Sequence, residues 1–207
     1  MEIVNPKIER YLGGLYGARH EVLGKMEAEA NERNFPIVGP LVGKLLYQLA
    51  RMTGARRVFE MGSGYGYSAF WWALAVEGGE IHRTEESDSN RERGEAYLKE
   101  AGLLHRVRYH VGDALKIIES IEGNFDIVFI DIDKQKYPAA LEKAAGRVRD
   151  GGLLVADNVL WSGKVTEKKG DASTEAIKEF NRRLFSRSDF AASIVPVRDG
   201  VAVAYKM

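Results

Sequence analysis

Cysteine is absent from the 207-residue sequence. Its absence excludes disulfide bonds, thiolate nucleophiles and sulfur-ligated metal sites. A net charge of either sign is also lacking, because 30 basic and 30 acidic residues cancel. Charge therefore gives no overall argument for binding to nucleic acid or to a membrane.

Long apolar runs are lacking as well. Charged residues or glycines interrupt each apolar stretch well before the length that a membrane span requires. The N-terminal stretch 1–11 is polar and lacks the apolar core of a signal peptide. We therefore expect a cytoplasmic protein with no membrane association.

The composition is an ordinary globular mixture, with 45% hydrophobic and 29% charged residues. A chain of this length favours one compact domain, and no repeat, low-complexity segment or linker divides it. We predict a single domain over 1–207, with N-terminal helices in 1–54 and an α/β core in 55–207.

Two segments are expected to be helical. Before Gly54, apolar residues at helical spacing predict a helix that buries one face. These residues are Leu41, Leu45, Leu49 and Met52. Near the C-terminus, Ser173 is the predicted N-cap of another helix, and the irregular stretch 162–171 before it is expected to be a mobile loop.

Short apolar runs alternate with helical patterns from residue 55 onward, which is typical of a parallel sheet covered on both faces. The predicted strands are 57–61, 80–85, 107–111, 125–130 and 153–156. A hairpin follows, with β-rich runs at 192–197 and 201–205 around an Asp199-Gly200 turn. The sequence therefore predicts an α/β fold with a mostly parallel seven-stranded sheet that ends in an antiparallel hairpin.

A glycine-rich segment lies between the first strand and the first helix of the core. Gly62, Ser63 and Gly64 allow the backbone to approach a ligand closely. The acidic Glu60 before them disfavours a pyrophosphate, whereas Glu60 and the Ser68 hydroxyl suit a zwitterionic amino acid with an ammonium group. The segment therefore predicts an amino-acid-bearing ligand rather than a dinucleotide.

Acidic residues after the next two strands favour a nucleoside in the same ligand. Glu85 ends the second strand at a spacing from which a carboxylate reaches ribose hydroxyls. Asp113 and Ala114 follow the third strand, where they would border a base. The alternative interpretation is a tight strand–helix turn with two solvated acids.

Polar residues also follow the fourth and fifth strands. Asp131 ends the fourth and Asp157-Asn158 the fifth, and the carboxyl ends of neighbouring parallel strands lie together. Two carboxylates and an amide, with no histidine or cysteine, describe a site for Mg²⁺ or a similar hard cation. Alternatively, the two aspartates cap helices or turns.

Lys134 follows Asp131 by three residues. Beside a dication its ammonium form is disfavoured, so its pKa would fall and the amine would accept a proton from a hydroxyl group. The competing interpretation is a solvated surface lysine.

Several segments together carry a resemblance to a known family. They are 60–68, 129–134, 157–163, Phe180-Asn181 and 196–200. From about Phe35 to the end, the sequence resembles the cation-dependent O-methyltransferases, the family of catechol and caffeoyl-CoA O-methyltransferases. The resemblance implies a Rossmann-like class I methyltransferase fold with extra N-terminal helices. It further implies methyl transfer from S-adenosylmethionine to a hydroxyl of a small catechol-like aromatic acceptor, a divalent cation such as Mg²⁺, and a homodimer.

Residue roles follow from the same resemblance. Asp131, Asp157 and Asn158 would bind the metal. Lys134 would be the general base, and Trp161 would lie beside the acceptor unless it is a core aromatic. The cofactor site would be lined by Glu60, Gly62, Ser63, Gly64, Ser68, Glu85, Asp113, Ala114 and Asp131.

Two positions depart from the family pattern. The segment 81–87 is more polar than is usual for the second strand, which predicts an altered cofactor rim or a partly exposed strand. Asp133 stands where a small or aromatic residue often precedes the lysine, and it would add charge near the metal or face solvent. The four histidines have no mutual ligand spacing, so we expect structural or surface positions for them.

Other functions stay open. The first is methylation of hydroxylated uridine in tRNA, with basic residues around the mouth of the site contacting phosphates. These residues are Lys164, Lys168, Lys169, Lys178, Arg182, Arg183 and Arg187. A solvated helix face is the preferred alternative, and a coenzyme A phosphate site is another. A non-catalytic cofactor-binding protein is disfavoured by Asp131, Lys134 and Asp157-Asn158, and a nucleotide-dependent dehydrogenase by Glu60 and the hairpin.

Overall fold

The computed structural model describes residues 3–16 and 20–207. Helices precede the sheet, and each is short. They are α1 (Pro6–Leu15), α2 (Glu21–Arg33) and α3 (Gly39–Thr53). Within the described residues, no helix has both the length and the apolar character needed to cross a membrane.

The rest of the chain builds one sheet. Its strands are β1 (Arg57–Met61), β2 (Glu80–Glu85), β3 (Val107–Val111), β4 (Phe125–Ile130), β5 (Val148–Ala156), β6 (Phe190–Val195) and β7 (Val201–Lys206). Their order is β3-β2-β1-β4-β5-β7-β6. The first five strands pair in parallel, whereas β7 is antiparallel to β5 and to β6. The predicted mostly parallel seven-stranded sheet with a C-terminal hairpin is confirmed.

Two strand boundaries differ from the prediction. Strand β5 begins at Val148, which pairs with Phe125 before a register shift near the Gly151-Gly152 pair. The sequence did not predict this start because Arg149 and Asp150 are polar and interrupt the apolar pattern of the strand. Strand β6 begins at Phe190 and ends before Pro196, so the hairpin connection is longer than the predicted Asp-Gly turn.

Helices cover both faces of the sheet. They are α4 (Tyr67–Ala75), α5 (Asp88–Glu100), α6 (Ala114–Ser120), α7 (Tyr137–Ala145) and α8 (Ala172–Ser186). Alternate residues of β4 serve opposite faces: Phe129 packs into the cluster with the N-terminal helices and α4, and Val128 into the cluster with α7 and α8. Because both faces are buried, a ligand can approach the sheet only at the strand ends.

Helix α3 buries one face, as predicted, but that face is centred differently. Leu41 is buried and Leu45 and Leu49 pack partly buried against the core, whereas Met52 is 82% exposed. The fully buried centre of the face is Val42, Leu46 and Ala50, because α4 packs closely against that side of α3.

The start of α8 also differs. Its N-cap is Asp171, which accepts a hydrogen bond from the Thr174 amide, and Ser173 lies within the first turn. The predicted irregular stretch before α8 contains a 3₁₀ turn, Trp161–Thr166. The mobility of that stretch stays a prediction.

Strand β2 is buried, so the prediction of a partly exposed strand was wrong. His82, Arg83 and Thr84 are at most 7% exposed. The pairing of β2 with β3 also brings His82 beside His110, with Nδ1 and Nε2 3.1 Å apart. Polar side chains occupy the inside of this sheet edge because their partners lie on neighbouring strands.

Gly43 gives a test of the α3–α4 packing. A Cβ there would overlap the indole of Trp71, so Gly43→Ala should destabilise the fold by about 1–3 kcal/mol through overpacking. Gly24 in α2 is the control, since a Cβ there meets nothing within 4 Å. Gly24→Ala should be neutral or stabilising. Urea denaturation of both variants checks this, and equal stability changes would contradict the packing.

Candidate functional site

A cleft lies at the carboxyl ends of the parallel strands, where ligands bind in open α/β sheets. Its main cavity has a volume of about 1000 Å³. A smaller cavity of about 190 Å³ adjoins it and shares Gly62, Glu85, Ile132 and Asp133 with it. The two cavities are therefore neighbouring compartments of one cleft, a larger and a smaller one.

The structure places most of the predicted site residues in this cleft. Those lining the main cavity are Gly62, Ser63, Gly64, Ser68, Glu85, Asp131, Lys134, Asp157, Asn158 and Trp161. Asp113 and Ala114 line the smaller cavity. Glu60 is completely buried and lies beneath the lining.

The glycine loop between β1 and α4 is shaped by close backbone approaches. Gly62 has a φ of 74°, and a Cβ there would overlap the carbonyl oxygen of Asp131. The Gly62 amide donates to Thr84 Oγ1 at 3.1 Å, and the Ser63 amide donates to the Thr84 carbonyl. The loop is thus fixed to the ends of β2 and β4 at the same time.

Burial changes the protonation of Glu60. Desolvation raises its pKa to about 7, and the nearby Arg83 and Ser68 only partly oppose that effect. A positively charged ligand group bound at the loop would stabilise the ionised form of the Glu60 carboxyl group.

Hydrogen bonds from neighbouring residues orient the acidic side chains that line the smaller cavity. Glu85 Oε1 accepts hydrogen bonds from the Ser87 amide at 2.9 Å and from Asn90 Nδ2 at 3.2 Å. Asp113 caps α6 by accepting from the Leu115 amide at 2.9 Å. Asp113 therefore both caps a helix and lines the cavity.

The ends of β4 and β5 bring two carboxylates together. Asp157 is 3% exposed, and its Oδ1 has no hydrogen-bond partner among the described residues. Burial and the charge of Asp131 raise the pKa of Asp157 to about 7. Asn158 follows with a left-handed backbone, φ 58°. An orphaned buried carboxylate oxygen beside a second carboxylate fits a cation.

Lys134 lies beside these two carboxylates and forms an ion pair with Asp131. Its Nζ donates to Asp131 Oδ1 and to the Tyr137 hydroxyl, both at 2.9 Å. Tyr137 in turn donates to the Asp157 carbonyl at 2.8 Å. The lysine side chain is only 12% exposed, so it is not a solvated surface lysine.

The donor set for a metal is small. Within the part of the chain that the structure describes, no group of three or more histidine, cysteine, aspartate or glutamate side chains is suited to hold a metal ion. The candidate ligands are therefore the two carboxylates of Asp131 and Asp157 and the amide of Asn158. Neighbouring Asp133 instead caps the following turn, accepting from the Gln135 amide at 3.2 Å, and its side chain also borders the cleft.

The far side of the main cavity is a wall that sequence reasoning missed. It includes Val4, Phe35 and Ile37 from the N-terminal region, and Arg198 from the hairpin connection. Arg198 Nη1 donates to the Ile37 carbonyl at 2.7 Å. The backbone of Arg198 is left-handed, φ 49°, a strained state that the tie to the wall offsets. In the sequence, the only signal was the position of Arg198 next to the Asp199-Gly200 turn.

Trp161 also borders the main cavity. Its backbone is left-handed, φ 47°, and its indole Nε1 has no partner among the described residues. The Asp199 carboxylate accepts from the Ser162 amide, and Asn181 Nδ2 donates to the Val159 carbonyl at 2.8 Å. The hairpin connection and α8 therefore hold the segment after β5 in place.

The basic residues considered for phosphate binding do not line the described cavities. Among residues 3–16 and 20–207, none of the seven is in the lining of either cavity, although Lys164 Nζ lies 5.8 Å from the ring centroid of Trp161, which lines the main cavity. Arg182 and Arg183 pair with Glu179, and Arg187 pairs with Asp189. For these arginines the pairing favours the solvated helix face, and phosphate binding stays a prediction.

Fold and cleft together define a class I methyltransferase. A model of the O-methyltransferase family matches residues 17–207. The chain therefore belongs to this family, and it is an S-adenosylmethionine-dependent O-methyltransferase of the catechol and caffeoyl-CoA type.

Known relatives align with 80–97% of this chain. A catechol O-methyltransferase of Niastella koreensis is 30% identical over 210 residues, which cover 95% of each chain. A caffeoyl-CoA O-methyltransferase of Zea mays is 30% identical over 179 residues, covering 80% of this chain and 69% of the relative. The structure of TomG from Streptomyces achromogenes, an O-methyltransferase involved in tomaymycin synthesis, contains S-adenosylmethionine. It is 33% identical with a TM-score of 0.89, over 97% of this chain and 96% of TomG.

The buried Glu60 predicts a pH dependence of stability. Its pKa is raised from 4.5 to about 7, so the folded state holds the proton more tightly than the unfolded state. Between these values the wild type should lose stability as pH rises, on the order of 3 kcal/mol relative to Glu60→Gln. Urea titrations of ligand-free protein with a chelator measure the difference between the two chains. A pH-independent difference would rule out the raised pKa.

Proposed function

We propose that the enzyme transfers the methyl group of S-adenosylmethionine to one hydroxyl of a catechol-like acceptor, with a divalent cation at Asp131, Asp157 and Asn158. The observation that carries this proposal is the buried Asp157 Oδ1, which has no hydrogen-bond partner among the described residues, beside a second carboxylate. A buried carboxylate of this kind is costly unless a cation binds to it.

The cation would have two functions. When bound, it would orient two neighbouring acceptor oxygens and lower the pKa of the hydroxyl that reacts. Mg²⁺ fits the proposal, because it prefers oxygen ligands and keeps several positions open for water or substrate.

Lys134 is the proposed general base. Its amine lies 2.9 Å from Asp131 Oδ1, and the side chain lines the cavity. The acceptor hydroxyl passes its proton to the Lys134 amine, and the oxygen forms a bond to the methyl carbon. The carbon–sulfur bond breaks, and its electron pair stays on sulfur to give S-adenosylhomocysteine. Alignment in the cleft supplies most of the rate advantage, because the sulfonium is already a reactive donor.

The cofactor would extend across both compartments. Its ribose would lie at Glu85 and its base at Asp113 and Ala114, in the smaller cavity. Its amino-acid end would lie at the glycine loop, over Glu60 and near Ser63, Gly64 and Ser68. The partly charged Glu60 suits the ammonium group, and this placement puts the sulfonium near Asp131, between the loop and the metal ligands.

The acceptor would occupy the remaining part of the main cavity. Trp161, Phe35 and Ile37 line that cavity and give it the apolar surface that suits an aromatic ring. The names of the relatives, catechol and caffeoyl-CoA O-methyltransferase, support an aromatic acceptor. Modification of tRNA is disfavoured, since the basic residues of α8 are paired with acids and lie away from the cleft. The homodimer and the cytoplasmic location stay predictions.

Transfer of a labelled methyl group tests the proposed function. The donor is S-adenosylmethionine, and the acceptors are catechol and its single-hydroxyl analogue phenol, each assayed with Mg²⁺ and with excess chelator. Labelling of catechol should exceed that of phenol and should vanish with chelator, because chelation needs two neighbouring oxygens. Equal labelling of both acceptors would contradict chelation of two oxygens, and activity that resists the chelator would exclude the metal.

A lysine substitution tests the proposed base. Lys134→Met should lower turnover at saturating substrates by about a hundredfold or more, because general-base catalysis contributes that much. Lys143→Met is the control, since Lys143 is exposed on α7 and pairs with Glu119. Affinity for S-adenosylhomocysteine should be similar in both variants. Full turnover by Lys134→Met would show that another group takes the proton.

A further inference from the structure

Arg83 is a buried charge that the proposed chemistry does not use. It lies in β2 and is completely buried. None of the ion pairs within residues 3–16 and 20–207 includes it. Burial of a guanidinium without a direct salt bridge is costly, and desolvation lowers the pKa of Arg83 accordingly. Such a group persists only where its contacts offset that cost.

The hydrogen bonds of Arg83 reach the glycine loop. Nη2 donates to the Gly64 carbonyl at 2.6 Å, and Nη1 donates to the Tyr109 hydroxyl at 2.8 Å. The guanidinium also lies 4.4 Å from the centroid of the Tyr109 ring. One side chain therefore links the loop between β1 and α4 to strand β3 through the interior of the sheet.

Two glycines make room for this side chain. A Cβ at Gly66, in the loop, would overlap Arg83 Nη1, and so would a Cβ at Gly94, in α5. Gly66 has a φ of 92°, which strongly favours glycine in any case, whereas Gly94 is inside a helix, where glycine is unfavourable. The absence of a side chain at Gly94 is thus explained by the guanidinium that occupies the space.

Strand register places a counter-charge next to Arg83. Glu60 of β1 and Tyr109 of β3 are its direct neighbours in the parallel ladder. The three side chains form a row under the loop, and the charges of Glu60 and Arg83 interact favourably. The row connects the acidic residue beneath the loop to the arginine that holds the loop.

We propose that Arg83 is a positioning residue for the cofactor: it fixes the Gly64 carbonyl and so holds the glycine loop in the shape that binds S-adenosylmethionine. The inference rests on cofactor binding at that loop, and it requires neither the metal nor a particular acceptor. Arg83 is not among the residues that line either cavity, so its proposed effect on the cofactor acts through Gly64.

The test measures S-adenosylhomocysteine affinity of the full chain by titration calorimetry, without metal or acceptor. Arg83→Lys keeps the charge but cannot reach both partners, and it should raise the dissociation constant about tenfold, as expected for loss of a charge-assisted hydrogen bond. Arg83→Met should raise it at least as much. At saturating S-adenosylmethionine the KM for the acceptor should change little, which separates loop positioning from a general loss of structure.

Two controls separate positioning from stability. Tyr109→Phe removes the Nη1 contact and leaves the Gly64 contact, and Arg106→Lys disturbs an arginine that donates to the Ala73 carbonyl away from the cleft. Both should lower the melting temperature with little effect on affinity. An unchanged dissociation constant in folded Arg83→Lys, or equal losses of affinity in Tyr109→Phe, would overturn the proposal. So would a wild type that does not bind S-adenosylhomocysteine, whereas binding without turnover would count only against the proposed acceptor chemistry.

Discussion

Acidic side chains buried at one edge of a parallel sheet are the constraint around which this cleft is built. Glu60 and Asp157 are almost inaccessible to solvent, and burial raises the pKa of each to about 7. A folded protein keeps such groups when cations are close to them. Arg83 and Lys134 are the cations that the chain itself supplies, and the proposed ligands, a sulfonium amino acid and a divalent metal, supply the rest.

The sheet explains why the acids meet. Residues at the ends of β1, β4 and β5 are far apart in sequence, but parallel pairing brings their carboxyl ends to one side. The N-terminal helices and the hairpin connection then enclose the opposite side of the cavity, tied together by Arg198 and the Ile37 carbonyl. Rigid strands thus carry the proposed chemistry, and the acceptor side is made of irregular segments, where families change specificity most easily.

The parts of the fold that could be predicted are those that local pattern encodes. Continuous apolar runs predicted the central strands. The short polar sequences after those strands predicted most of the residues that line the cleft. Strand β5 was shortened in the prediction because Arg149 and Asp150 interrupt its apolar pattern. The buried face of α3 was predicted in part, with Met52 wrongly included, because its centre depends on α4, which the periodicity of α3 does not contain.

Contacts between residues that are distant in sequence could not be predicted, for the same reason. The polarity of β2 was noticed, but its explanation lies in Tyr109 and Gly64, which are close to Arg83 only after the strands pair. The contact of Arg198 with Ile37 was likewise not predicted, because Arg198 lies next to a predicted turn that is distant in sequence from Ile37. Basic residues of α8 were placed near the cleft by their charge alone, whereas the structure pairs Arg182 and Arg183 with Glu179 on the outer surface.

The central claim is that a divalent cation completes the acidic site beside the cofactor. Its most direct test is a crystal structure of the protein grown with S-adenosylhomocysteine and Mn²⁺, with the ion located by its anomalous scattering. The account predicts an anomalous peak coordinated by oxygens of Asp131, Asp157 and Asn158, with Lys134 Nζ displaced from Asp131. Bound S-adenosylhomocysteine with no peak at these three residues would contradict it.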